Sequence, residues 1–406
     1  MSRLDPDRLS RITQWMQSYV DDRRFPGCAA LILEDGEERF FHAAGARDLE
    51  TGTAWERDTV ARIYSMTKPI ASVAFMQLLE RGLVHLDARL GDIIPAFANM
   101  HALVPGATGI TEIEPAPSPT MVQCLTHTAG FSYPFNPGVL PAAMDEAKLM
   151  FAGASPSLTF ETDRLGALPL AFQPGTRWEY SVGIDVIGRV VEVVSGQALD
   201  VYLQENVFAP LGMTDTSFIL RDDQLGRTAN LYTPLVGNAM DINAKPPEPG
   251  TLRLIDTPDE SPFRTTTCWS GGGGLVGTID DYARFTEALR TGGGPLLSPA
   301  TTQFMMQNFL PGEIASMGPQ SFAEQPMEGM GFGLGGAVVL DPARARTPGS
   351  LGDFSWGGMA STFFWIDREN ALSVLFFTQL SPSSSTPARP QLKALVHGAM
   401  TAGTGQ

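Results

Sequence analysis

The chain is short of lysine and cysteine and has no long apolar run. Of its 28 basic residues only four are lysines: Lys68, Lys148, Lys245 and Lys393. Against 44 acidic residues they leave a net charge of −16, a field that repels nucleic-acid backbones and anionic lipid. Cys28, Cys124 and Cys268 are too few and too scattered for a disulfide framework or a cysteine zinc site, and buried thiols are expected. The longest stretch without Asp, Glu, Lys, Arg or His, 291–312, is broken by glycine, proline and hydroxyl residues, which excludes it as a membrane span. The amino-terminal MSRLDPDRLSR has charges where a signal peptide needs an apolar run, so a soluble, cytoplasmic protein is expected. The five histidines show neither HxxxH nor HxH spacing, and no metal or organic cofactor is expected. No serine has glycine at both −2 and +2, which removes the usual marker of a Ser-His-Asp hydrolase.

Enough apolar sequence is present for sizeable cores: 43% of the 406 residues, against 18% charged. That length predicts two lobes, with one elaborated domain as the rival. Asp5 caps an expected helix with Pro6 at its first position and Leu9, Ile12, Met16, Tyr19 and Val20 on one face. Residues 28–33 and 38–44, joined by Asp35-Gly36, read as a β-hairpin. Near the carboxy end, 331–340, 351–356, 362–367 and 372–378 read as strands, followed by a helix over 389–400. Bulky groups alternate to both faces of 362–366, so this sheet is expected to be covered on both sides. Between these ends, 70–81 and 182–194 look helical, and long loops run through 105–119 and 233–262. A helical insertion between two halves of one sheet accounts for the layout. The expected division is an α/β lobe from 1–65 and 275–406 and a mainly helical lobe from 66–274, with the site between them.

Gly272-Gly273-Gly274-Leu275-Val276-Gly277 matches G-x-G-x-x-G, and 265–269 before it could pass for a strand. The acidic residue wanted about twenty positions later is missing, where Leu297 stands, so a packing or hinge turn is the better reading. More chemistry resides in Ser65-Met66-Thr67-Lys68, which follows a strand-like 61–64 and opens the helix to Arg81. One turn apart, hydroxyl and amine share a face, and the helix start favours negative charge beside the serine. Serine needs a group to take its proton, and a buried lysine can do so. At this composition about 0.25 S-x-x-K matches arise by chance, so the motif needs company.

It has company. Tyr180-Ser181-Val182 precedes an amphipathic helix, and Trp356-Gly357-Gly358-Met359 is a strand-edge segment. With Leu125-Thr126-His127-Thr128-Ala129-Gly130 and Pro210-Leu211-Gly212-Met213, these run in a familiar order. The chain resembles the serine β-lactamase and penicillin-binding-protein superfamily, most of all the family VIII carboxylesterases and related class C β-lactamase-like acyltransferases. The resemblance implies a β-lactamase/transpeptidase-like α/β plus α fold, with a central antiparallel sheet flanked by helices and a helical lobe. It implies the strand order hairpin return, Cys28 strand, Leu372 strand, Thr362 strand, Leu351 strand. It makes Ser65 the nucleophile, Lys68 and Tyr180 its proton carriers, and the backbone N–H groups of Ser65 and Met359 the oxyanion hole. Tyr133, Val182, Trp356, Gly357 and Gly358 fall at substrate-binding positions, and His127 is expected to be structural. Val182 stands where the lactamases have the asparagine of Y-x-N, and Trp356 where they have the lysine of K-T-G. Both changes imply an apolar site suited to small neutral esters rather than one built for an antibiotic carboxylate. The expected activity is a serine carboxylesterase, with an acyltransferase or weak promiscuous β-lactamase on the same residues, or a non-catalytic scaffold or sensor, as alternatives. The expected partner is a small-molecule ester, with no nucleic acid and no membrane; the oligomeric state is left undecided.

Overall fold

The computed structural model describes residues 2–153, 155–242, 244, 250–323 and 325–401. Lys245 and part of the 233–262 loop lie outside these.

Helix α1 (Pro6–Asp21) begins where expected: the Asp5 carboxylate accepts from the N–H groups of Asp7 and Arg8, and Pro6 needs no partner. Its buried face carries Leu9, Ile12, Met16 and Tyr19, each worth roughly 1.5–3 kcal/mol on burial of an aliphatic or aromatic side chain. Strands β1 (Gly27–Glu34) and β2 (Glu37–Asp48) form the hairpin. Asp35 and Gly36 both take positive φ, the two-residue turn that matches strand twist. A two-residue strand, β3 (Thr53–Ala54), continues the sheet, and β4 (Ala61–Arg62) leads toward the serine motif. Helices α2 (Thr67–Glu80) and α3 (Gly183–Ser195) pack together in the helical middle of the chain. After β5 (Val276–Gly277), which pairs with β4, helix α4 (Ile279–Arg290) crosses the sheet. The remaining strands of the central sheet are β6 (Met330–Phe332), β7 (Ala337–Val339), β8 (Phe354–Gly357), β9 (Phe363–Asp367) and β10 (Leu372–Thr378), before helix α5 (Ala388–Ala399).

The sheet order is β6-β7-β8-β9-β10-β1-β2-β3, every neighbouring pair antiparallel. This includes the five-strand order that the resemblance implied. Both faces are covered. Cys28, Ala30, Ile32, Phe363 and Trp365 join α1 and α5 in one core, while Ala29, Leu31, Phe364 and Ile366 face the other core with Tyr282 of α4.

Two expectations are corrected. Residues 331–340 are not one strand but the β6–β7 hairpin. Gly335 at the turn has φ 97°, and side chains on Gly335 or Gly336 would strike Ser72 and the Phe354 ring. Strand β8 starts at Phe354 rather than 351, because Leu351 and Gly352 form the preceding turn, with Gly352 at φ 81°. Residues 265–269 form no strand, in keeping with the reading of the glycine run as a turn.

Candidate active site

Ser65 is not on α2, as its spacing suggested, but in a 3₁₀ turn, Tyr64–Met66, immediately before it. Several contacts hold this turn. Ile63 N–H donates to Leu275 O, Leu275 N–H to Thr67 Oγ1, and the Tyr282 hydroxyl to Met66 O at 2.8 Å. Tyr64 has φ 42°, a left-handed conformation unusual for a bulky residue, and it sets the angle at which Ser65 leaves β4.

Lys68, in the first turn of α2, is fully buried. Its Nζ lies 3.2 Å from Ser65 Oγ, 2.9 Å from Tyr133 Oη and 2.6 Å from Gly272 O. Tyr180 Oη lies 2.7 Å from Ser65 Oγ and accepts from Trp356 Nε1 at 3.4 Å. Lys68 Nζ also sits 4.7 Å from the Tyr180 ring centre. Ser65, Lys68 and Tyr180, 115 residues apart at the extremes, thus meet at one point.

Tyr180 is fixed by its backbone neighbours. Glu179 N–H donates to His127 O, the Asn136 amide donates to Tyr180 O, and Ser181 N–H donates to His127 Nδ1 at 3.2 Å. The His127 ring stands 4.8 Å from the Tyr180 ring, and burial, with the Lys68 charge, holds it well below the usual histidine range. It is a neutral buttress.

These groups open onto a cavity of about 280 Å³ whose wall is largely apolar, including Phe151, Phe263, Phe322, Met327 and Trp356. Strand β8 runs past the serine so closely that a side chain on Gly358 would strike Ile63 O. Ser65, Gly357, Gly358 and Met359 consequently line the same cavity. Trp356 lines it too, its indole stacked at 12° and 6.0 Å on Phe322.

Two positions differ from expectation. Val182 is 0% exposed, precedes α3 and is outside the cavity lining, so it does not meet a substrate there. The loss of the K-T-G lysine also does not leave an uncharged wall. Arg389, at the start of α5, reaches the cavity beside Gly357 and lies 5.3 Å over the Phe363 ring. No local pattern in the carboxy-terminal helix points to that approach. Tyr133 lines the cavity and stacks on Phe135 at 4.8 Å, but its hydroxyl is occupied by Lys68 and Asp185.

Asp185 is the residue that sequence reasoning passed over. On the buried face of α3, it accepts from Ser270 Oγ and from Gly272 N–H at 2.9 Å, and faces Tyr133 Oη at 3.4 Å. Burial raises its pKa, against the Lys68 charge and these hydrogen bonds. Its signal was an acid at the third position of an apolar helix, five residues after Tyr180. The glycine run is a packing turn, as expected: a side chain on Gly272 would collide with the Asp185 carboxylate.

Among the described residues, the carboxylates of Asp353 and Asp367 and the His397 ring form one grouping with metal-ligand spacing. A cation already occupies it, since Lys393 Nζ is 2.9 Å from Asp353 Oδ2.

The beta-lactamase family model matches residues 12–398. The chain belongs to the beta-lactamase family. Within it, the chain is 32% identical to esterase EstB of Burkholderia gladioli, over 92% of this chain and 93% of that protein. It is 31% identical to the lovastatin esterase of Penicillium rubens, over 88% and 89% respectively. Among solved structures, it superposes on EstCE1, described as a hydrolase with promiscuous acyltransferase activity, with TM-score 0.79 and 27% identity, covering 97% of this chain and 99% of that one. The beta-lactamase/transpeptidase-like fold and a serine-hydrolase character follow from this membership. No helix among the described residues is long and apolar enough to cross a membrane.

Proposed function

We propose that the protein is a serine carboxylesterase that cleaves small esters through an acyl-enzyme on Ser65. The observation that carries this reading is the double approach to Ser65 Oγ, 3.2 Å from Lys68 Nζ and 2.7 Å from Tyr180 Oη. Ser65 Oγ attacks the ester carbonyl while its proton passes to the Lys68–Tyr180 pair. The carbonyl electron pair moves to oxygen, which the N–H groups of Ser65 and Met359 receive; a donor of this kind is worth roughly 3–4 kcal/mol in the transition state. As the C–O bond breaks, the same proton goes to the leaving alkoxide. Water then repeats the sequence on the acyl-enzyme.

The esterase relatives support hydrolysis, and the apolar cavity wall suits the apolar parts of an ester. A second reading, transfer of the acyl group to an alcohol, is favoured by the likeness to EstCE1. A cytoplasmic location belongs to the proposal and is supported by three buried, unpaired cysteines. The test is fluorophosphonate labelling read by intact mass, with p-nitrophenyl ester turnover alongside. One adduct on Ser65, and loss of both adduct and turnover in folded Ser65→Ala protein, are expected. Retained turnover in that variant overturns the assignment. Product partition between water and added alcohols separates hydrolase from transferase.

A further inference from the structure

Lys68 is tied to one buried carboxylate by two routes. Through the first, its Nζ donates to Tyr133 Oη, which in turn faces Asp185 Oδ2. Through the second, Gly272 offers its carbonyl to Lys68 and its N–H to Asp185 Oδ1. Ser270 Oγ adds a further bond to that carboxylate, and the absent side chain of Gly272 leaves the room it needs. Helix α3 supplies Asp185 from its first turn, where the helix start favours an anion.

We propose that Asp185 is a positioning residue for acyl transfer, holding Lys68 through Tyr133 and Gly272 and balancing its charge while the serine proton resides there. This rests on the acyl-enzyme reading above. When Ser65 Oγ bonds to the ester carbon and gives up its proton, a buried ammonium forms at Lys68. Such a charge is costly without an anion within reach. Asp185 is that anion, and the proton leaves Lys68 again for the departing alkoxide.

The other titratable groups here add no competing charge. Burial pushes the Cys268 thiol and the Tyr133 phenol up, and His127 down, so all three stay neutral around pH 7. Tyr180 packs against Lys68, its ring centre 4.7 Å from Nζ, and is the remaining proton carrier. Removing the charge of Asp185 therefore disfavours the protonated amine, and the rising limb of the pH–rate profile should move to lower pH.

The experiment measures acylation of Ser65 by p-nitrophenyl acetate from pH 5 to 9, in wild type, Asp185→Asn, Tyr133→Phe and the double variant, with the adduct verified by intact mass. Asp185→Asn should lower kcat at least about tenfold with KM changed no more than about twofold, and shift the rising limb down by about half a pH unit or more. Tyr133→Phe keeps its ring on Phe135 and should shift the limb the same way, the double variant being little worse than Asp185→Asn. If Asp185→Asn does not fold, the Tyr133→Phe limb decides alone. A uniform loss at every pH with the limb unmoved, or multiplicative losses, overturns the role of Asp185 while leaving the acyl-enzyme intact. Absence of any Ser65 adduct in wild type overturns the acyl-enzyme reading itself, and the role of Asp185 with it.

Discussion

Two buried lysines lie on opposite sides of the sheet and are held in different ways. Lys393 of α5 packs over the Trp365 ring, and its ammonium meets the Asp353 carboxylate directly at 2.9 Å. Lys68 of α2 meets a serine hydroxyl, a phenol and a peptide carbonyl, and is linked to Asp185 only through those neighbours. A direct buried ion pair fixes a charge: removing either partner strands the other in a low-dielectric interior. A lysine surrounded by hydroxyls can pass its proton on, because its neighbours both donate and accept. The same side chain is thus a fastener at one place and a proton carrier at the other, and the difference lies in one intervening layer, the Tyr133 hydroxyl and the Gly272 peptide group.

The largest test of that contrast is a pair of equal substitutions. Lys68→Met should lower kcat for p-nitrophenyl esters by about 10²–10⁴-fold, the usual worth of a positioned proton carrier. Lys393→Met should leave kcat per folded molecule within about twofold but cost about 3 kcal/mol of unfolding free energy, by stranding Asp353. Steady-state kinetics and urea unfolding on both proteins read the two effects. A comparable loss of activity in both would break the comparison.

A smaller effect sharpens it through pH. Burial, partly opposed by Lys393, pushes the Asp353 carboxyl from 3.8 up to about 6. The folded state therefore holds this proton more tightly than the unfolded state. Its contribution to stability is complete below about pH 4 and is lost as pH rises through about 6, a change of about 1–3 kcal/mol. Asp353→Asn should flatten the pH dependence of the urea midpoint between pH 4 and 6.5. An unchanged slope would mean that Asp353 is ionised throughout that range.

The smallest effect concerns the cavity wall at Trp356. Trp356→Lys restores the cation at the K-T-G position, and one charge-assisted hydrogen bond is worth about 1.5 kcal/mol, or about tenfold. The ratio of ester to nitrocefin kcat/KM should narrow by about that factor. No change would show that Arg389, already beside Gly357, has taken over any anion-binding role of the lost lysine.

Local chemistry made much of this molecule legible. Asp5-Pro6 starts α1, Asp35-Gly36 turns the first hairpin, and the dense apolar segments at both ends form the central strands, because caps, turns and alternation act over a few residues. Ser65, Lys68 and Tyr180 were legible through ordered motifs, each short enough to be read in one place. Glycine was harder: the same run that resembles a phosphate loop is spaced for the Asp185 carboxylate, and 331–340 is a hairpin because Phe354 and Ser72 stand where side chains would go.

What the sequence by itself determined is the set of elements and the identity of the three residues that meet at the serine. Only the tertiary structure decided which groups surround them. Asp185 reaches Lys68 through Tyr133, 52 residues away, and Gly272, 87 residues away, while Arg389 reaches Gly357 from the last helix. No periodicity encodes such meetings, because they depend on how α3, the glycine turn and α5 close around one cavity. That closure also separates the proton carrier from the fastener: Lys68 and Lys393 differ in what the fold brings to each ammonium.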